Sequence, residues 1–507
     1  MFGIGSRAGA VHFRQDRGLP ASRPKSASVR VMQESAKNPP RRMPQPLSEP
    51  ARPGKEANMT VITRYRQAAT GHGDRGIGTD RASTARRSHV GVVALAAVLV
   101  AGCSSSTGST AAHTASGSPA TTAPTTVAQA AAHGVEAAIG AVPWSQVGPG
   151  WMLATWSPVT GQSPGQTPPP GAPTHATATT TLYLVDPAGG RYPITTFPPP
   201  GDTASPELVD WSGDGSHALF SAEYSNPSTA ISVDLHTGAQ TAIPVHGFPR
   251  YTRPAGKAIL VSTSYMGNAA GTLKRIDMTG NQQLTYPTDQ LGGAGQFSGD
   301  YLESPDGTQL VLGTANLGNA LVPRTDNGLV VMGNDGSVVR ELPSPTLKAQ
   351  CSPVRWWTST VILANCRSSS GSQLWQIPLG GGAPTALTAV NSGKEDDPGF
   401  GPDLGDGNAW QLPSGTFLQS AGACGTEFLS RLTPDMRTTR VTVPGVDSSV
   451  RVTGATADKL VLQAKLGCGA TTSLLTYDPA ANTSTVLLGP PINGGGVTDA
   501  LLYPEHN

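Results

Sequence analysis

The side chains most able to do covalent chemistry in this 507-residue chain are its five cysteines. Cys103 ends the run Val90 to Cys103, VGVVALAAVLVAGC, so its thiol follows an aliphatic residue and two small ones. Cys351, Cys366, Cys424 and Cys468 are an even set, which in an exported protein favours disulfides over metal ligation. The sequence has neither a CxxC pair nor a histidine spacing suited to tetrahedral zinc, so no structural metal is expected. Gly161-Gln-Ser163-Pro-Gly165 fits G-x-S-x-G, but a nucleophile elbow needs a strand before it and a helix after it, and this copy lies in a Pro-rich loop. Glu395, Asp396 and Asp397, followed by Asp403 and Asp406, offer oxygen ligands of the kind calcium takes; the spacing matches no EF-hand, so a solvated loop is expected. His217, His236 and His246 have no metal-ligand spacing and are expected at the surface. Trp356-Trp357 could turn one ring to a ligand face, since strand neighbours alternate, but packing is the expected role. No catalytic residue is assigned.

The elements that position these residues begin with the apolar run. It is too short to cross a hydrocarbon core comfortably, which takes about 20 helical residues. Basic residues Arg86-Arg87 precede it and small residues close it, the order of a secretory signal. Val100-Ala101-Gly102-Cys103 resembles the bacterial lipobox. That resemblance implies cleavage before Cys103, diacylglycerol on its sulfur, and anchoring at the outer face of a membrane. Ser-His-Val-Gly after the arginine pair fits twin-arginine export poorly.

Four segments are expected. Residues 1–58, rich in Arg, Pro and Ser, read as a disordered leader or as a start placed too early, with Met59 the more natural one. Residues 59–102 are the signal, 103–141 the lipidated cysteine and a flexible linker, and 142–507 the folded domain. Ser104 to Thr126 has almost no charge or large apolar residue and cannot offset its ordering entropy; Gln129 to Ile139 could make a turn or two of helix. The Pro- and Thr-rich stretch Ser163 to Ala178 reads as a surface loop. The formal net charge of +1 averages two unlike pieces. Residues 1–102 carry 17 Lys and Arg against 6 Asp and Glu, and the remainder carries 18 against 28, a net of −10. An acidic mature chain argues against nucleic acid as a partner.

Beyond Val142 the pattern is short β-rich runs punctuated by Gly and Pro. Trp211-Ser-Gly-Asp214-Gly215 and Glu303-Ser-Pro-Asp306-Gly307 each read as a strand end, a tight turn and an apolar strand. That apolar strand recurs seven times, near Met152, Ala218, Ala258, Gln309, Thr360, Thr416 and Lys459, each followed by a hairpin. Taking Asp186 and Asp478 as equivalent gives a period of about 49, close to a four-stranded propeller blade. The tail Gly496 to Tyr503 is expected to return to the first blade and fasten the ring. An all-β propeller follows, seven blades favoured, with six or eight possible.

The two turn motifs resemble the W-S-P-D-G repeats of TolB-like and other WD-repeat-like bacterial propellers. TolB proteins also carry an α/β domain before the propeller, for which the linker leaves no room, so their partners are not carried over. From the repeat register, Cys351 pairs with Cys366 and Cys424 with Cys468, both on one face. The functional expectation is an exported, lipid-anchored, non-catalytic module that binds protein or ligand at the cell envelope. It would be monomeric and free of cofactors, with an envelope protein or glycan as partner. The alternative is a propeller hydrolase or lyase acting on envelope carbohydrate or lactone. Three or more acids or histidines converging at the channel mouth would mark the enzyme, an apolar face the binder.

Overall fold

In the computed structural model, the seven apolar runs become strands that are buried from both sides. Ile259–Ser262 and Leu460–Leu466 are almost wholly enclosed, whereas Gln240–Pro244 exposes four of its five residues. A strand covered on both faces reads as a continuous apolar run, and one at a solvent edge as polar. The structure describes residues 130–504, apart from 162–166, 168, 202, 223–227, 266–268, 290, 292–294, 316–327, 343, 346–348, 392–395, 398–400, 403–406, 422–425, 448 and 467–469.

Among these residues the strands form seven four-stranded antiparallel sheets and one two-stranded ladder. The seven sheets are the blades of a propeller. Blade 2 shows the plan: Glu207–Trp211 innermost, then His217–Ala222, Thr229–Asp234 and Gln240–Pro244 at the rim. The innermost strands that follow are Phe248–Tyr251, Gln296–Glu303, Gln350–Thr358, Asn408–Leu412 and Ser449–Ala455. Those of blades 2 and 3, 4 and 5, and 6 and 7 touch one another.

Blade 1 is built from both ends of the domain. Gly496–Leu502 is its innermost strand and pairs antiparallel with Met152–Ser157, from Met152 opposite Leu502 to Ser157 opposite Gly496. Thr180–Val185 and Arg191–Phe197 complete it. The tail thus closes the ring, leaving no unpaired inner edge there. Tyr503 then sets its ring edge-on to Trp211 of blade 2, centroids 5.1 Å apart.

An antiparallel meander puts its connections alternately at opposite ends. The turns within the first and second hairpins of each blade share one face, the turn face. The loops between second and third strands share the other with the blade-to-blade crossings, the loop face. On the turn face, Asp306 Oδ1 accepts from Ser304 Oγ and from the Thr308 N–H at 3.0 Å. Gly307 sits beside it at φ +71°, where a Cβ would lie 2.0 Å from the Arg253 carbonyl oxygen.

Residues 130–138 are not helical and turn once, at His133-Gly134. The Ala131 N–H donates to Tyr192 Oη at 2.8 Å, and Glu136 bridges Arg191 in parallel pairing. Helix-forming composition yields here because the rim strand of blade 1 offers free backbone groups. The only helical turns in this stretch are two three-residue 3-10 segments, Ile139–Ala141 and Trp144–Gln146.

Candidate functional site at the channel mouth

A cavity of about 490 Å3 opens on the loop face between blades 1 and 2. Four pieces of chain build it. The closing strand contributes Thr498 and Asp499, and the innermost strand of blade 2 contributes Glu207, its first residue. The crossing between the two blades adds Pro200 to Pro206, and the loop inside blade 1 adds His175 and Ala176.

Asp499 stands in the middle of the mostly apolar strand Gly496–Leu502. Behind it, on the second strand, is Thr155, fully buried. Thr155 Oγ1 donates to Asp499 Oδ2 at 3.3 Å, accepts from the Asp499 N–H at 3.0 Å, and lies 2.6 Å from Thr498 Oγ1. This set of bonds holds the carboxyl in the wall of the cavity. Burial pushes it up to about 7, and the nearby Glu207 carboxylate adds to the rise; Arg451 and the Leu208 N–H oppose it. Loss of hydration and a like charge both favour the neutral acid.

Chemically, the pocket pairs an acid that keeps its proton near neutrality with a second carboxylate, and adds an imidazole. A carboxyl that holds its proton near neutrality can act as a general acid beside a group that acts as base. Among the described residues no group of three His, Cys, Asp or Glu is placed to hold a metal ion.

The residues singled out in the sequence fall elsewhere. Cys351 and Cys366 face each other in register at the loop end of blade 5 and are joined by a disulfide, their Cα atoms 4.0 Å apart. Cys103, Cys424, Cys468, Ser163, Glu395, Asp403 and Asp406 lie outside the described residues. Asp396–Asp397 forms a two-residue ladder with Gly401–Pro402. His217 Nδ1 lies 2.7 Å from Ser216 Oγ, His236 stacks on Trp144 at 3.8 Å between centroids, and His246 is exposed. Trp356 Nε1 donates to the Glu303 carbonyl at 2.8 Å, and Trp357 packs against the apolar cluster of blades 5 and 6. Sequence reading missed His175, Glu207 and Asp499. One signal was present, a carboxylate in the centre of the tail strand GVTDALL.

No family model and no curated protein matches the sequence. Solved structures do resemble it. A puromycin-hydrolyzing peptidase of Mycobacterium tuberculosis aligns at 15% identity and TM-score 0.40, over 62% of this chain and 50% of its own. Prolyl oligopeptidase B of Galerina marginata aligns at 12% identity and TM-score 0.43, over 62% of this chain and 49% of its own. The β-propeller domain of the Trilobed protease of Pyrococcus furiosus aligns at 10% identity and TM-score 0.41, over 68% of this chain and 95% of its own. This chain thus spans about half the length of the two whole peptidases.

These findings correct the expectation of a non-catalytic binding module. The similar solved chains are peptidases, one of them described as a protease's propeller domain. The pocket also gathers one histidine and two acids among its lining residues. They escaped notice because Asp499 meets His175 and Glu207 only through ring closure.

Proposed function

We propose that this chain is an exported, lipid-anchored propeller that takes part in peptide processing at the cell envelope, with the pocket of His175, Glu207 and Asp499 as its reacting site. The observation that carries the reading is the convergence of these three side chains on one cavity, with Asp499 held as a neutral acid up to about pH 7. Asp499 would give its proton to the leaving amine as Glu207 takes one from the attacking water, so that hydrolysis of the amide balances. His175 would orient the carbonyl. Thr155 and Thr498 act on the reaction only by fixing Asp499.

Anchoring through Cys103 and kinship with TolB-like propellers belong to the same reading. The first rests on the signal and lipobox pattern of Val90 to Cys103, the second on the turn motifs at Trp211 and Glu303. The acidic net charge of the mature part suits a cationic or amine-bearing substrate better than an anionic one.

The test is cleavage of a peptide library by the full chain extracted from membranes, with products read by mass spectrometry. Cleavage that disappears in both Asp499→Asn and Glu207→Gln supports the reading. No cleavage by the unaltered protein, or cleavage that persists in both variants, removes it. For the anchor, Cys103→Ala should release the protein from the membrane and abolish lipid labelling. Retention with labelling intact overturns that part.

A further inference from the structure

The second hairpin of every blade closes through one residue of positive φ. It is Gly189, Gly238, Gly280, Gly336 and Gly381 in blades 1 to 5, at φ between +73° and +93°, and Asn482 in blade 7, at φ +50°. Those are the residue types that tolerate a left-handed backbone. Blade 6 puts Met436 there, at φ +62° and with 45% of its surface exposed. Its N–H donates to the Thr433 carbonyl at 3.0 Å, so the turn closes like the others. A strained backbone that presents an apolar side chain to water serves neither turn nor core, and calls for a role.

Met436 does not stand by itself. The large apolar residues exposed among the described residues are Val135, Val338, Val390 and Met436, at 37% to 48%. All four lie at second-hairpin turns, on the rim of the turn face. The Val135 carbonyl accepts from the Arg191 N–H at 3.1 Å, just past the turn of blade 1, and Val338 is the first strand residue after the turn of blade 4. Val390 follows Ala389, whose N–H donates to the Met436 carbonyl at 2.7 Å. Equivalent turns of a ring lie at one height along its axis, and blades 1, 4 and 6 are spread round it, so these positions define a plane. Apolar residues scattered over a surface need no explanation, but these are confined to one face.

The charges beside them suit lipid headgroups. Arg340, two residues beyond Val338 and on the same side of its strand, is exposed, as is Arg437 next to Met436. Asp335 and Asp435 of the same turns are tied to the hydroxyls of Ser337 and Thr433, at 2.6 and 2.5 Å. The chain also enters the domain at this face. The Ala131 N–H donates to Tyr192 Oη at 2.8 Å, and the Gly134 N–H to the Gly189 carbonyl at 3.0 Å, at the turn of blade 1. A leash from Cys103 would therefore reach the domain beside Val135.

We infer that the rim of the turn face, through Val135, Val338, Val390 and Met436, seats on the surface of a lipid bilayer with anionic headgroups. The inference rests on the anchored reading of Cys103 for what brings the membrane near. A leash keeps the domain at high effective concentration over the bilayer, so modest contacts suffice to seat it. Each half-exposed side chain that enters lipid strengthens the seat about fivefold. The cavity of His175, Glu207 and Asp499, on the loop face, then opens away from the membrane.

The experiment reconstitutes the full chain, extracted from membranes, into vesicles of phosphatidylcholine and phosphatidylglycerol in equal parts that carry a diazirine-tailed lipid. After photolysis, peptide mapping should find lipid adducts at the four apolar residues and none at Ser369 and Ser370, exposed in a loop-face turn of blade 5. A triple variant, Val338→Thr, Val390→Thr and Met436→Gly, keeps the β-branched shape at two sites and relieves the turn at the third. It should be no less stable in urea, yet adducts at the unaltered Val135 should fall more than about tenfold. Adducts on the loop face, or undiminished adducts at Val135 in the triple variant, overturn the inference. Photo-methionine at position 436 that crosslinks in cells to protein instead of lipid overturns the bilayer in favour of a protein partner. Lipid labelling of Cys103 reads the anchor separately. Labelling without turn-face adducts removes the seat and leaves the anchor, and adducts without labelling leave the seat and remove the anchor.

Discussion

Replacing Asp499 by Asn keeps the shape of the side chain and removes the proton equilibrium that burial has displaced. The folded-state carboxyl lies at about 7 against an ordinary 3.8, so between those values the folded protein binds more protons than the unfolded chain. Stability contributed by this group is therefore greatest in acid, is lost as pH rises from about 4 to 7, and is constant above. At 1.36 kcal/mol per pH unit the ceiling of that loss is about 4 kcal/mol. Asp499 opens partly to the cavity, where water screens it, so a loss of about 2 kcal/mol is expected. Urea unfolding followed by tryptophan fluorescence at pH 4.5 and pH 8 measures it. Asp499→Asn should match the unaltered protein at the lower pH, and exceed it at the higher one by that amount with an unchanged denaturant slope. Glu303 contributes a pH dependence of the same sign, so the difference between the two proteins, rather than either curve alone, isolates Asp499. The same variant should lose peptide cleavage, making it more stable and less active above neutrality. Identical unfolding curves at both pH values would refute the account of a buried, neutral Asp499.

Other outcomes follow from the ring and its turns. Gly307→Ala places a methyl 2.0 Å from the Arg253 carbonyl oxygen at φ +71° and should cost about 2 to 4 kcal/mol in urea unfolding. Gly201→Ala, at φ +64° with no atom within 4 Å of the new methyl, should cost about 1 kcal/mol. Deleting residues 496–507 strips blade 1 of its innermost strand and exposes the hydrogen-bonding edge of Met152–Ser157. It also removes buried Val497, a side chain worth about 1.5 to 3 kcal/mol. The truncated chain should associate on size-exclusion chromatography and lose its single cooperative unfolding step.

Much of this fold is legible in the residues because it is a repeated local object. A blade's second strand is covered on both faces, so it must be apolar along its whole length, and seven such runs can be counted without a structure. Asp-Gly turns mark the same corner of successive blades for a backbone reason, the positive φ of Gly215 and Gly307. The tail announces itself as a strand in search of a partner, and the Cys351 and Cys366 pairing follows from register within one blade. The site obeys no such local rule. Asp499 meets Thr155, and His175 and Glu207 beyond it, only because the last strand of the domain lies against the first. Glu303 occupies a repeat position that reads as aromatic in blade 2; burial raises its proton affinity, Asp210 adds to the rise, and Arg253 and Arg275 oppose it, all three from two other blades. The one-dimensional pattern therefore determined the blades, because burial on both faces is imposed strand by strand. Ring closure decided the chemistry, because proton affinity depends on which charges and how much water surround a group, and those neighbours come from distant parts of the chain.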